Sequence, residues 1–350
     1  MTSEAPVVCV PARDEAERLP RLLASLDGQT GLGDRLKVVV VVNNSRDGTA
    51  DIVRAAQIGG GLPRLCLRLV ETWLDPDQAH VGTARRMALD AGVEWVAPSS
   101  HDDGVLLTTD ADARVPPDWV AANLRALTRA DIVGGRLVID RDEPGDPTVS
   151  ELDGRIERYW VGVRAMEDEI DPPSHDPAPR HGDHTGASLA LRVSHYRQVG
   201  GLPRLPRGED NALVAAVREA GGRLRHCPEV RVHVSDRRVG RADGGMAIEM
   251  ARRAEVRAGG DRYLLPAPGH WHAILTRRAA LRRAWRAGCP DTACGLTADD
   301  LAVIRPADCP NDIAFVERAA RRLEVRDAPA PLVPLDDALA GFGLGHGLAA

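Results

Sequence analysis

The sequence predicts an α/β fold, with a mostly parallel sheet flanked by helices and a helical extension behind it. Three observations carry this expectation. Short apolar runs alternate with amphipathic helical patterns through the first half of the chain. The run Lys37–Val42 is β-branched almost throughout, as a strand buried on both faces tends to be. From Met246 onward the pattern turns helical and rich in arginine.

Taken in order, Val7–Val10 is the first apolar run. Ala16, Leu19, Leu22, Leu23 and Leu26 then share one helical face. Lys37–Val42 is the second strand, and Thr49–Gln57 reads as a helix after a turn. Arg64–Leu69 gives a third strand, Val81–Ala91 a helix, and Val105–Thr109 a fourth strand. Pro116 and Pro117 open a helix through Arg129, since proline is tolerated in a first turn. Ile132–Ile139 is another strand. Leu152, Ile156, Tyr159 or Trp160, Val163 and Ile170 keep helical spacing. A polar, proline- and histidine-rich loop runs from Asp171 to Thr185. Ser188–Leu191 and Val230–Val234 read as strands, and Glu209–Ala220 as a helix between them. The tail from Ala328 is dominated by Pro, Gly and Ala, which predicts poor order.

Composition narrows the function. A net charge of −6 lacks the basic footprint of a nucleic-acid binder. The start MTSEAPVVCVPARDE has neither the basic opening nor the long apolar run of a signal peptide, so a cytoplasmic location is expected. Lys37 is the only lysine, and it lies in no phosphate-binding loop motif. That disfavours Schiff-base and P-loop chemistry. The cysteines, among them Cys289, Cys294 and Cys309, match no common zinc spacing and read as reduced thiols.

In a parallel α/β sheet, ligands bind beyond the carboxyl ends of the strands. That rule selects the residues after Val10, Val42 and Thr109. After Thr109 stands Asp110-Ala111-Asp112, whose two carboxylates at a strand tip can converge on one divalent cation. Pro11-Ala12-Arg13-Asp14-Glu15 follows the first strand, and Asn43-Asn44-Ser45-Arg46-Asp47-Gly48-Thr49 the second. Thr185-Gly186-Ala187-Ser188 precedes a short strand, and Gly208-Glu209-Asp210-Asn211 opens a late helix. Asp47-Gly48-Thr49 reads as structural: a capping side chain and a turn glycine.

With these motifs in this order, residues 6–235 resemble the family 2 glycosyltransferases, enzymes of the GT-A nucleotide-diphospho-sugar transferase fold. The resemblance implies a Rossmann-like GT-A domain over 1–245, with a nucleotide-sugar half at 1–140 and an acceptor half at 141–245. A helical, arginine-rich extension at 246–327 and a flexible tail at 328–350 follow. It implies a nucleotide-diphosphate sugar donor, a hydroxyl acceptor, and Mg²⁺ or Mn²⁺ held by Asp110 and Asp112, with His233 as a further ligand. Pro11, Ala12, Arg13, Glu15, Asn43, Arg85, Arg86 and Asp110 fall where the family meets the nucleotide sugar. Glu15 has an equal bland reading as a helix-terminus charge. Asn43 stands where the family usually has an aspartate on the base; an amide both donates and accepts, which leaves the nucleotide open. Asp210 is the expected general base, with Glu209 beside it, because an attacking hydroxyl must lose its proton. His184, Gly186 and Ala187 belong to the expected acceptor side. Inversion is the family expectation.

The arginine-rich stretch 251–286, with Glu255 and Asp261 as its acids, reads as a packed, solvated helix face, with membrane contact as the lesser reading. Two other functions fit parts of the pattern. A nucleotidyltransferase would share the sheet and acids but usually shows a Gly-rich basic loop after the first strand. A non-catalytic sugar-nucleotide binder would have no need of Asp110, Asp112 and Asp210 together. Donor hydrolysis by water fits the same residues.

Overall fold

The computed structural model describes residues 6–96, 104–140, 147–237, 246–260, 262–290 and 295–344. Cys294, Asp261 and the last residues of the expected tail, 345–350, lie outside them. The chain divides into two compact units. The first comprises Met1–Asp142, Pro179–Val217 and Gly222–Ala247; the second comprises Glu143–Ala178, Arg218–Gly221 and Ile248–Ala350. Residues 143–178, expected in the acceptor half, group instead with the C-terminal helices.

In the first unit the predicted alternation is present. β1 (Pro6–Ala12), α1 (Leu19–Asp27), β2 (Leu36–Asn43), α2 (Thr49–Ile58), β3 (Leu65–Thr72), α3 (Val81–Trp95), β4 (Val105–Thr108), α4 (Trp119–Ala126) and β5 (Ile132–Asp140) follow in turn. Then come β6 (Leu189–Arg192), a short helix α6 (Val193–Gln198), α7 (Glu209–Glu219) and β7 (Leu224–Ser235); in between lies α5, described below. The seven strands form one sheet in the order β3-β2-β1-β4-β6-β5-β7. β6 alone runs against its neighbours β4 and β5; the other pairings are parallel.

Both faces of the sheet are covered. Val8, Val10, Val38 and Val40 join Leu19, Leu22, Leu23 and Trp119 on one side. Val7, Cys9, Val39 and Val41 join Ala84, Ala88, Leu89 and Leu213 on the other. This two-sided burial explains why β2 carries an unbroken valine run instead of an alternating pattern. Trp119 is fully buried, and its indole N–H donates to Ser188 Oγ at 3.0 Å.

Three elements depart from expectation. α1 begins at Leu19, with Pro20 in its first turn, because residues 13–18 form a loop in which Asp14 takes φ 51°. α4 begins at Trp119, just beyond the two prolines. β7 is longer than Val230–Val234 because it runs through Pro228, with a break in register opposite Gly135 and Arg136. A proline inside a strand-like run masks the part before it.

The second unit holds α5 (Pro147–Ile170), α8 (Met246–Arg257), β8 (Leu264–Pro266), α9 (Pro268–Arg286), α10 (Ala298–Ile304), α11 (Asp312–Glu324), β9 (Leu332–Pro334) and α12 (Leu335–Gly341). α8 straddles the division between the units. Residues 328–344, assigned above to a tail, thus carry a strand and a helix; Leu335, Ala338 and Leu339 are buried against Leu152, Ile156 and Tyr159. Tyr159 is the core member of the Tyr159–Trp160 pair, and Trp160 is exposed. Among the described residues no helix is long and apolar enough to cross a membrane.

The arginines of this unit are largely paired. Arg218 and Arg278 both reach Glu317, and Arg282 binds Asp171 and Asp312. His175 lies among these charges. Burial first, then Arg218, pushes its imidazole down from 6.5 to about 4. The folded protein therefore holds it neutral while the unfolded chain protonates it. Stability from this group is complete above pH 6.5 and is lost as pH falls towards 4. Denaturant unfolding at pH 5 should show a loss of about 1–2 kcal/mol relative to pH 7 from this group, and His175→Leu should flatten that part of the profile.

Candidate active site

The site is built at the carboxyl ends of β1, β2, β4 and β7. Because β6 is reversed, its entering segment Thr185–Ser188 reaches the same edge, where Leu189 pairs with Thr108.

The loops after β1 and β2 are tied together. Arg46 N–H donates to Asp14 Oδ1 at 2.8 Å, and Asp14 N–H to Ser45 Oγ at 3.0 Å. Glu15 N–H donates to Thr49 Oγ1, and Ala16 N–H to Asp47 Oδ2, each at 2.9 Å. Asp47 also accepts from Thr49 N–H, while Gly48 turns the chain at φ 84°. The expected capping side chain is not found, since the N-cap of α2 is Gly48 without a side-chain cap bond; Asp47 and Thr49 instead hold backbone N–H groups of the first loop. Asn44 fastens this pair of loops to the next one by exchanging hydrogen bonds with both backbone groups of Leu74. Pro11 and Ala12 are buried at the tip of β1, and Arg13 Nη1 donates to Ala79 O at 2.9 Å.

Asn43, at the tip of β2, is buried, and its Nδ2 has no hydrogen-bond partner. An unsatisfied buried amide costs about 1–3 kcal/mol. It is an orphan donor at the position expected to read a nucleobase.

Two arginines organise the acids, and each bridges two carboxylates. Arg85, on α3, donates from Nη2 to Asp110 Oδ1 at 2.7 Å and from Nε to Glu209 Oε1 at 3.1 Å. Arg237, just beyond β7, contacts Asp112 Oδ2 at 3.1 Å and Glu15 Oε1 at 2.6 Å. Glu15 is thus an ion-pair partner, and the alternative reading as a helix-terminus charge fails because α1 starts at Leu19. Burial first, and then the charge of Asp110, holds the Asp112 carboxyl above its ordinary range against the pull of Arg237. Burial likewise raises Glu209, with Arg85 opposing and Asp210 adding to the rise.

Asp210 is half-buried at the start of α7, and its Oδ2 accepts from Gly186 N–H at 2.8 Å. Gly186 O in turn accepts from Arg85 Nη1 at 2.7 Å. The structure therefore brings Asp110, Glu209, Asp210 and Gly186 into one hydrogen-bonded group.

Other candidates stand differently. Arg85 and Arg86 were expected on the nucleotide sugar. Arg85 is buried on protein groups, and Arg86 binds Asp90 and the carbonyls of Gly200 and Leu202. Both guanidiniums are held by acceptors of their own chain. Ala187 is buried and belongs to the core cluster on one side of the sheet. His184 Nδ1 lies 3.0 Å from His226 Nε2, and the His181 and His226 rings meet edge to face at 5.6 Å between centroids. His233 exchanges backbone hydrogen bonds with Arg114, two positions after Asp112. Burial, then Arg114, lowers its basicity, and Asp140 is the acid that acts on it. Among the described residues no three His, Cys, Asp or Glu side chains gather as a metal site. Asp110, Asp112 and His233 therefore form no such group; the charges that act on the His233 ring are Arg114 and Asp140.

Sequence reading missed Arg237 and Thr108, which accepts from Arg85 Nη1 at 2.8 Å. Position was the available signal for Arg237: it sits just past a strand's carboxyl end.

Residues 7–176 match the profile described as glycosyl transferase family 2. Over these residues, just under half of the chain, the sequence is similar to the family 2 glycosyltransferases. Among solved structures, the chain is similar to the mannosyltransferase PcManGT from Pyrobaculum calidifontis, solved with GDP-Man and Mn²⁺. Identity is 21%, coverage is 92% of this chain and 88% of that one, and the TM-score is 0.50. TarS 1–349 of S. aureus, solved with UDP-GlcNAc, is 14% identical, with 92% of each chain covered and a TM-score of 0.46. The first likeness supports the GT-A fold of the chain. No curated protein matches the chain.

Proposed function

We propose that the chain is a glycosyltransferase that moves a sugar from a nucleotide-diphosphate donor to a hydroxyl acceptor, with divalent-cation dependence and inversion at the anomeric carbon. The carrying observation is the cluster at one sheet edge: Arg85 bridges Asp110 and Glu209, and Arg237 bridges Asp112 and Glu15.

A divalent cation fits that donor set. Asp110 and Asp112 stand at one strand tip and offer carboxylate oxygens; burial first, and then Asp110, raises the Asp112 carboxyl, while Arg237 and Arg18 oppose. Asp110 and Asp112 would hold Mg²⁺ or Mn²⁺ through oxygen, the ligand both ions favour. When bound, the ion supplies charge neutralisation for a departing diphosphate. The similar mannosyltransferase was solved with Mn²⁺ and a nucleotide sugar, which supports this choice.

The chain's own residues do the rest. Backbone around Pro11–Arg13 and the orphan amide of Asn43 hold the nucleoside. Asp210 takes the proton from the acceptor hydroxyl as its oxygen attacks. Gly186 N–H holds one oxygen of Asp210, fixing the direction from which the other can accept. Glu209 is buried on Arg85 and serves as an anchor.

Thermal-shift measurement with UDP-, GDP- and TDP-sugars, each with and without Mn²⁺, tests the reading. At least one donor should raise the midpoint with Mn²⁺ present and far less without it, since stabilisation tracks occupancy. A flat response to every donor and to the cation would overturn it.

A further inference from the structure

We propose that Arg85 is a positioning residue that couples the cation-holding end of the site to its proton-accepting end. The proposal rests on the roles given above to Asp110 and Asp210 and concerns what holds them in place.

Arg85 has almost no exposed side-chain surface, 4%. A guanidinium in such a place is tolerated only when its donors are satisfied. Four of its N–H groups are placed. Nε meets Glu209, Nη1 meets both Thr108 Oγ1 and Gly186 O, and Nη2 meets Asp110 Oδ1. These partners come from β4, from the loop after it, from the segment entering β6 and from the start of α7. The planar fork of arginine fixes the mutual directions of such partners, which a lysine's single ammonium does not.

Two consequences reach the reacting groups. Asp110 has one oxygen engaged by Arg85, so its orientation is set before any ligand arrives. Gly186 passes the constraint on: its carbonyl accepts from Arg85 while its N–H donates to Asp210. A Cβ on Gly186 would lie 2.4 Å from Arg85 Cζ, so this close approach needs glycine at 186. A merely structural arginine would need acid partners anywhere in the fold. Here one partner acid is the assigned cation ligand, and another immediately precedes the assigned base.

The test uses the full chain and two variants that disturb the fork differently. Arg85→Lys keeps the charge and loses the fork; Gly186→Ala keeps the arginine and pushes it aside. Mn²⁺ alone, titrated by electron paramagnetic resonance, should bind each variant about 10-fold or more weakly, the usual effect of removing a partner behind a metal ligand. Turnover, read as nucleoside diphosphate release from the stabilising donor, should fall about 100-fold, while the donor KM moves far less. Combining Arg85→Lys with Asp210→Asn should cost little beyond Asp210→Asn alone, because coupled residues are not additive. Circular dichroism and the thermal midpoint confirm that the measurements are made on folded protein. If both variants melt earlier yet keep wild-type turnover and Mn²⁺ affinity below their midpoints, the positioning role is refuted. Asp110→Asn separates the two levels. Should it bind Mn²⁺ normally, the cation assignment falls and the proposal with it. Should it lose Mn²⁺ while Arg85→Lys behaves as wild type, only the positioning role falls.

Discussion

Asp210→Asn should lower transfer about 1,000-fold, within the range typical of a lost general base, while leaving donor affinity almost intact. The amide keeps the shape and still accepts from Gly186 N–H, so the hydrogen-bonded frame survives. It has no basic oxygen to take a proton. Steady-state kinetics with the stabilising donor should show the loss in kcat, with the donor KM within about threefold, as expected when only a transition-state interaction is removed. Unchanged turnover would remove Asp210 from the chemistry. Glu209→Gln should behave differently: it breaks a buried ion pair with Arg85, so its first effect is on stability.

The second large effect concerns Asp110 and Asp112. Asp110→Asn and Asp112→Asn should each abolish the Mn²⁺-dependent part of donor stabilisation and reduce turnover by about 1,000-fold or more, the scale of several kcal/mol of lost charge stabilisation. Stability should move the other way at Asp112. Its carboxyl is raised in the folded state, first by burial and then by Asp110. A raised acid contributes its full stability below its unfolded value and loses it as pH rises through the folded value. At neutral pH the ionised group is therefore a liability, and Asp112→Asn should match or exceed the wild-type melting midpoint without ligand. A variant that melts later and no longer transfers sugar would show stability given up for function. Normal Mn²⁺ response in both variants would refute the cation assignment.

Much of the first unit was legible because its signal is local. Valine runs such as Lys37–Val42 belong to strands covered on both faces, and leucines at helical spacing mark α1. The carboxyl-end rule then led directly to Asp110, Asn43 and Pro11–Arg13. What escaped is non-local. Nothing in the neighbourhood of Arg85 says that it turns inward to meet Asp110, Glu209 and Gly186, partners far away along the chain. Arg237 stands beside other arginines, and only the fold shows that it lies over Glu15 and Asp112. Pro228 interrupts the alternating pattern of β7, while the register skips across it. The segment 328–344 looked unstructured by composition, yet three of its apolar residues, Leu335, Ala338 and Leu339, are enough to seat a helix. His233 is expected on the metal by analogy, whereas the charges that act on its ring are Arg114 and Asp140.

The single reversed strand has a wider consequence. Had β6 run with its neighbours, Thr185–Ala187 would emerge at the opposite rim of the sheet, a full strand length from Asp110. Running backward, β6 delivers a stretch of chain that belongs to none of the valine-rich parallel strands. That stretch carries Gly186, whose carbonyl accepts from Arg85 of α3 and whose N–H donates to Asp210 of α7. The reversed strand thereby knots the start of α7 to α3 and to the tip of β4 at a single point of the sheet's edge.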